Sequence, residues 1–361
     1  PLEGFTYGSV NAPTGKEWES PENLALNKEQ PHAYFFPFQH LDNARKVLPE
    51  NSQYWQSLDG DWKFHWAPDP DSRPKDFYQT EYDVSSWDAI PVPSSWNIYG
   101  IQKDGSQKYG TPIYVNQPVI FQHSVKVDDW RGGVMRTPPA NWTTYKDRNE
   151  VGSFRRDFEI PQDWDGREVF ISFDGVDSFF YLWINGQYVG FSKNSRNTAN
   201  FNITPYLQKG KNTVAAEVYR SSDGSFLEAQ DMFRLPGIFR TVALYSVPKV
   251  HFRDLVATPD LDVTYTDGSL TVNAEIRNLD KKAIKDYKVY YSLYANKLYS
   301  DENTLVDGFL SPVIDKIAPN ETGSVQTVLK VKAPNKWSAE FPYRYTLVAE
   351  LKDKKNRTVE M

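Results

Sequence analysis

The chain has 361 residues, a formal net charge of −6 and a sequence pI near 5.5. That length exceeds one ordinary core, so two domains are expected, and an acidic balance with no basic block argues against nucleic acid or an anionic membrane as partner. Cysteine is absent, which removes disulfides, thiol chemistry and Cys-based zinc sites, and no apolar run approaches the ~18 residues of a helical membrane span. The start at Pro1, without Met or a signal peptide, reads as a terminus from which a leader or tag has been removed. The aromatic content stands out: 11 Trp, 22 Tyr and 21 Phe, beside 24 Pro and 20 Gly. Aromatic enrichment with frequent turn formers predicts an all-β protein, most of its rings filling sandwich cores.

Residues 1–50 read as an extended segment lying over a folded body, because Pro13, Pro21, Pro31, Pro37 and Pro49 interrupt any long element. Trp62, Phe64 and Trp66 alternate with Lys63 and His65, the pattern of a half-buried strand. Residues 168–173 (EVFISF) predict another. Residues 179–184 (FFYLWI) and 187–191 (QYVGF) flank Asn185-Gly186, a strong hairpin signal because a type I′ turn needs positive φ at both positions. Residues 122–146 read as a long surface loop. Strands follow at 213–220 and 241–247. Between them lies 221–240, SSDGSFLEAQDMFRLPGIFR, which mixes Asp223, Glu228, Asp231, Arg234 and Arg240 with Phe226, Leu227, Met232, Phe233 and Phe239. Apolar groups in such a connection must be buried or mark a contact, and its charges must be paired or face a ligand.

Past Pro248 the texture changes: lysine becomes common and Trp337 is the last tryptophan. Strands are predicted at 269–277, 287–295, 324–332 and 343–351, an immunoglobulin-like pattern without the cysteine pair. The expected organisation is therefore an extended segment over 1–50, a β-sandwich over 51–247 and a second β-sandwich over 248–361. No βαβ alternation is visible, which excludes a TIM barrel or Rossmann domain within these residues.

No serine-nucleophile, P-loop, HExxH or dinucleotide-binding motif is present, and the five histidines are scattered. Sequon matches at Asn141, Asn202, Asn320 and Asn356 are what chance supplies. Glycoside hydrolysis needs two carboxylates across a scissile bond, and no such pair can be placed. The residues alone reach a two-domain β protein with aromatic faces suited to stacking on sugars.

The 221–240 segment resembles a signature in the amino-terminal domain of glycoside hydrolase family 2 β-galactosidases. Further matches occur in order: EWESPENLALNK (17–28), SLDGDWKFHWAP (57–68), VPSSWNIYG (92–100), YGTPIYVN (109–116), FDGVDSFFYLWINGQYVGFSKNSR (173–196) and WSAEFPYRY (337–345). The loop around Asp231 is more similar to β-galactosidases than to the β-glucuronidases or β-mannosidases of that family.

The resemblance implies a jelly-roll sugar-binding domain followed by an immunoglobulin-like domain. It places the catalytic glutamates in a TIM barrel that follows these two domains, so no catalytic residue is expected in this chain, which is read as the amino-terminal part of a larger, homo-oligomeric retaining β-galactosidase. Asp231 matches an aspartate that reaches the barrel's sugar pocket, contacts galactose hydroxyls and helps hold sodium; a carboxylate suits both tasks. Asn116 matches an asparagine beside the same pocket, against a plain turn role before Gln117-Pro118. Relatives carry a peripheral magnesium site, to which Glu17 and Asp223 correspond, but a glutamine ligand is replaced here by Lys193. Lys193 is accordingly expected to pair with Asp223 or Glu17 and pin the amino-terminal segment, against the bland reading of a solvated surface lysine. Sodium and magnesium are thus implied for the parent, with no tight binding expected of this stretch alone. A stand-alone carbohydrate-binding module and an assembly scaffold are the alternatives, and the compartment stays open.

Overall fold

The structure is a computed structural model that describes residues 12–115, 149–228, 232–296 and 303–361. The surface loop expected over 122–146 lies outside the described residues. The first body is a two-sheet sandwich. One sheet has seven strands in the order Ala25–Leu26, Gln187–Ser192, Phe179–Ile184, Lys211–Tyr219, Val151–Glu159, Gly60–Ala67 and Asp88–Val92. The facing sheet orders Ala199–Asn202, Glu168–Phe173, Val242–Val247 and Trp55–Ser57. The paired strands run antiparallel, with Thr213 opposite Asp157 and Val242 opposite Phe173.

The unbroken apolar run of Phe179–Ile184 has a direct cause: the strand is buried on both faces. Phe180, Leu182 and Ile184 join Trp62, Phe64, Phe154 and Phe173 between the sheets. Phe179, Tyr181 and Trp183 form a second aromatic layer on the outer face with Trp18, Phe77 and Tyr219. Trp18 stacks on Tyr219 at 5.4 Å, and Tyr78 stacks on Trp183 at 4.8 Å. Burying each such side chain contributes about 2–3 kcal/mol, so the connections that supply Trp18 and Phe77 are parts of the fold rather than decoration. The Asn185-Gly186 turn has φ of 50° and 76°, as the hairpin signal requires.

The strand Val151–Glu159 lies inside the seven-stranded sheet, between Lys211–Tyr219 and Gly60–Ala67, although Arg155-Arg156 interrupts its apolar pattern. Arg155 is buried because its guanidinium donates to the carbonyls of Phe77, Gln79, Thr80 and Tyr82 at 2.9–3.3 Å. Four backbone acceptors replace the water it loses.

The second body pairs a three-stranded sheet (Val250–Leu261, Gly268–Asn278, Glu321–Val331) with a four-stranded one (Asn303–Leu310, Lys288–Asn296, Arg344–Lys352, Thr358–Glu360). Phe252, Val272, Ile276, Val289, Tyr291 and Leu351 fill the space between. The architecture is that of a jelly-roll-type sandwich followed by an immunoglobulin-like one.

The amino-terminal segment runs across both bodies, farther than a packing on the first alone. Ala25–Leu26 adds an edge strand beside Gln187–Ser192, where a Cβ on Gly190 would overlap the Leu26 carbonyl. The Glu29 amide donates to the Asn200 carbonyl at 2.8 Å, while its carboxylate pairs with Arg277 at 2.9 Å. Arg253 donates to the Gln30 carbonyl at 2.9 Å, and the Phe38 amide to the Met361 carbonyl at 2.7 Å.

Candidate functional site

The crossover 221–240 leaves the seven-stranded sheet after Lys211–Tyr219 and enters the facing sheet at Val242–Val247. Its base is a buried ion pair. Arg220 Nη1 meets Glu150 Oε1 at 2.5 Å, and both side chains are about 1% exposed. The other Glu150 oxygen accepts from Trp96 Nε1 at 2.9 Å and from Asn97 Nδ2 at 3.1 Å. Gly110, at φ +70°, passes so close that a Cβ there would overlap the Glu150 carboxylate. Arg220 Nη2 donates to the Thr111 carbonyl at 3.0 Å. Asn149 and Ser221 exchange two hydrogen bonds, each 2.8 Å. A buried charge pair is tolerated only when its remaining donors and acceptors are used in this way.

Beyond this base the chain forms a short helix, Ser225–Glu228, and two short strands, Met232–Arg234 and Gly237–Ile238. Glu228 turns back onto Ser195: Oε1 accepts the Ser195 amide at 2.7 Å, and Oε2 accepts its hydroxyl at 2.5 Å. The same hydroxyl lies 3.4 Å from Asp177 Oδ1. Burial, opposed by Arg196 and reinforced by the neighbouring Glu228, pushes the Asp177 carboxyl up to about 6. Arg196 reaches Asp177 at 3.3 Å and Met232 Sδ at 3.5 Å, and its guanidinium lies over the Phe239 ring. Arg240 donates to the carbonyl of Arg196 at 2.9 Å. Leu227 and Phe233 are 82% and 59% exposed.

Met232–Arg234 pairs antiparallel with Ile113–Val115, with Met232 opposite Val115. In sequence Asp231 precedes Met232 and Asn116 follows Val115, and both lie outside the described residues.

Lys193 is 4% exposed, and its ammonium is 2.8 Å from Asp223 Oδ1 and 2.7 Å from the Ser20 carbonyl. Burial pulls the lysine's pKa down, and Asp223 with Glu17 pushes against that fall. The Asp223 amide donates to the Trp18 carbonyl at 2.9 Å, and the Lys193 amide donates to the Leu24 carbonyl at 3.2 Å. Glu17 accepts the Tyr181 hydroxyl at 2.5 Å and the Thr14 amide at 2.8 Å. Burial alone would raise the Glu17 carboxyl, but these donors outweigh it and hold the pKa below the ordinary range.

Composition and spacing did not single out Glu150, Asp177, Ser195 or Arg196. The last three lie inside the matched stretch 173–196, so the motif contained the signal without saying which member faced the crossover.

The profile described as "Glycosyl hydrolases family 2, sugar binding domain" matches residues 55–248, and "Glycosyl hydrolases family 2" matches residues 250–361. The chain belongs to glycosyl hydrolase family 2. A protein of Priestia megaterium named "Beta-galactosidase" is 39% identical over 95% of this chain and 31% of its own length. One of Halalkalibacterium halodurans with the same name is 34% identical over 94% of this chain and 30% of its own length. The chain therefore spans just under a third of these relatives. The crystal structure of a Bacteroides uniformis β-glucuronidase superposes with TM-score 0.64 at 20% identity, covering 85% of this chain and 31% of that one, a likeness of fold.

Proposed function

We propose that this chain is the non-catalytic front of a retaining β-galactosidase, in which water hydrolyses terminal β-D-galactosides through a glycosyl-enzyme intermediate. The catalytic carboxylates lie beyond this stretch, in a barrel that packs against the 221–240 crossover. Asp231 and Asn116 form part of the pocket rim. Asp231 accepts hydrogen bonds from galactose hydroxyls and supplies one oxygen to a sodium ion that the barrel completes. The family membership and the names of the relatives support the reaction class. The observation that carries the site is the Met232–Val115 pairing, which joins the two motif segments in one ribbon and ends one residue short of each rim residue.

Magnesium does not fit the Asp223 position. Its carboxylate already holds an ammonium 2.8 Å away, and a divalent ion would have to displace Lys193 against like-charge repulsion. Lys193 is the cation that ties Asp223 to the amino-terminal segment.

The test is the longer polypeptide that carries this segment, assayed on a chromogenic β-galactoside. Asp231→Asn should lower kcat/KM about a hundredfold, the scale of losing charge-assisted hydrogen bonds to substrate. The stretch 1–361 alone should show no turnover. Full activity in the Asp231→Asn enzyme, or turnover by the stretch alone, would sink the reading.

A further inference from the structure

We infer that Glu228 and Ser195 form a positioning clamp that sets where the Asp231 loop leaves and re-enters the sandwich. This rests on the proposed role of Asp231, but the clamp is built from other residues. Glu228 ends the short helix Ser225–Glu228, and both of its oxygens are committed to one residue of the turn after the Gln187–Ser192 strand. Two bonds to a single partner fix orientation as well as distance, as a bidentate contact does. Ser195 is fully buried, so its amide and hydroxyl have no water to exchange for the carboxylate.

The adjacent Arg196 holds the other side. Its guanidinium reaches Met232 Sδ and pairs with Asp177. Asp177 in turn sits opposite Gly237 in a short antiparallel pair. Two consecutive residues, Ser195 and Arg196, thus hold both flanks of the loop, Glu228 before it and Met232 after it. A charged side chain on a surface connection ordinarily points to solvent. Here it is spent on defining a geometry, which is costly unless the residues between the flanks must be placed closely. A misplacement of about 1 Å at such a group costs on the order of a hundredfold in rate.

The experiment is a double-mutant cycle in the longer polypeptide, with kcat and KM measured on an aryl β-galactoside and melting followed in parallel. Glu228→Ala should lower kcat/KM about tenfold in the native background and cause no further loss in the Asp231→Asn background, since a positioning residue acts through its client. Glu228→Gln keeps an acceptor for the Ser195 amide and should recover most of the loss. Ser195→Ala should fall between the two. If Asp231→Asn is crippling while Glu228→Ala and Ser195→Ala are neutral, the clamp is wrong and the site reading survives. Multiplying losses in the double variant would likewise overturn it, because they would mark Glu228 as merely structural. If Asp231→Asn itself is harmless, the site reading falls and the clamp falls with it. Should Glu228→Ala fail to fold, the Ser195→Ala and Glu228→Gln arms of the cycle decide alone.

Discussion

At the scale of single residues, the chain repeatedly buries a cation against acceptors that leave it no alternative. Arg155 is held by four carbonyls, Arg220 by Glu150, and Lys193 by Asp223 and the Ser20 carbonyl. Taking a charge out of water is expensive, and removing one member of a buried pair strands the other. Lys193→Met should therefore cost about 3–5 kcal/mol, read as a lowered urea midpoint, because Asp223 is left enclosed without its partner. The tether is thus an ion pair and a hydrogen bond made by the chain's own lysine, with no metal between them. The native midpoint should be the same in magnesium and in excess chelator. A chelator-sensitive midpoint, with Lys193→Met neutral, would mean that a metal rather than the lysine holds this region. The substitution of a lysine into an otherwise acidic cluster was legible in the sequence. Which acid it meets was not, because that depends on how the 20–24 segment folds back over the Gln187–Ser192 strand.

At the scale of elements, local chemistry was readable and long-range chemistry was not. The Asn185-Gly186 hairpin follows from two positive φ values that few other residue pairs adopt at low cost. The strand Val151–Glu159 escaped detection because its arginines are satisfied by a distant loop, 77–82, that periodicity cannot see. The strand Val250–Leu261 was hidden by its exposed, charged and proline-containing second half. The amino-terminal segment looked like a cover over one domain and is instead a strap between two. Glu29 joins Asn200 in the first sandwich to Arg277 in the second. Glu29→Ala should leave the partly buried Arg277 without its acid and loosen the domain junction. Denaturation followed by tryptophan fluorescence, which reports mainly the first sandwich, should then separate from far-UV circular dichroism, which reports both. Coincident transitions at an unchanged midpoint would show that the strap carries no coupling.

At the scale of the whole molecule, fold and family were largely legible because they rest on patterns spread through the chain: aromatic strands, the change of texture near 248, and a series of motifs in order. The two sandwiches and the profile matches to 55–248 and 250–361 agree with that breadth. The specificity is harder to reach. The solved structures of similar fold include β-glucuronidases, while the curated relatives of higher identity carry the name β-galactosidase. A scaffold shared across a family leaves the choice of sugar to the pocket, and the proposed rim belongs to a crossover whose described flanks are held by Glu150, Arg220, Ser195 and Glu228. The most direct measurement is therefore the ratio of kcat/KM for an aryl β-galactoside to that for the matching β-glucuronide, on the longer polypeptide that carries this segment. The account expects the galactoside to be favoured by at least about a hundredfold, the discrimination that a few hydroxyl-directed hydrogen bonds supply. Preference for the glucuronide, or hydrolysis of neither, would contradict it.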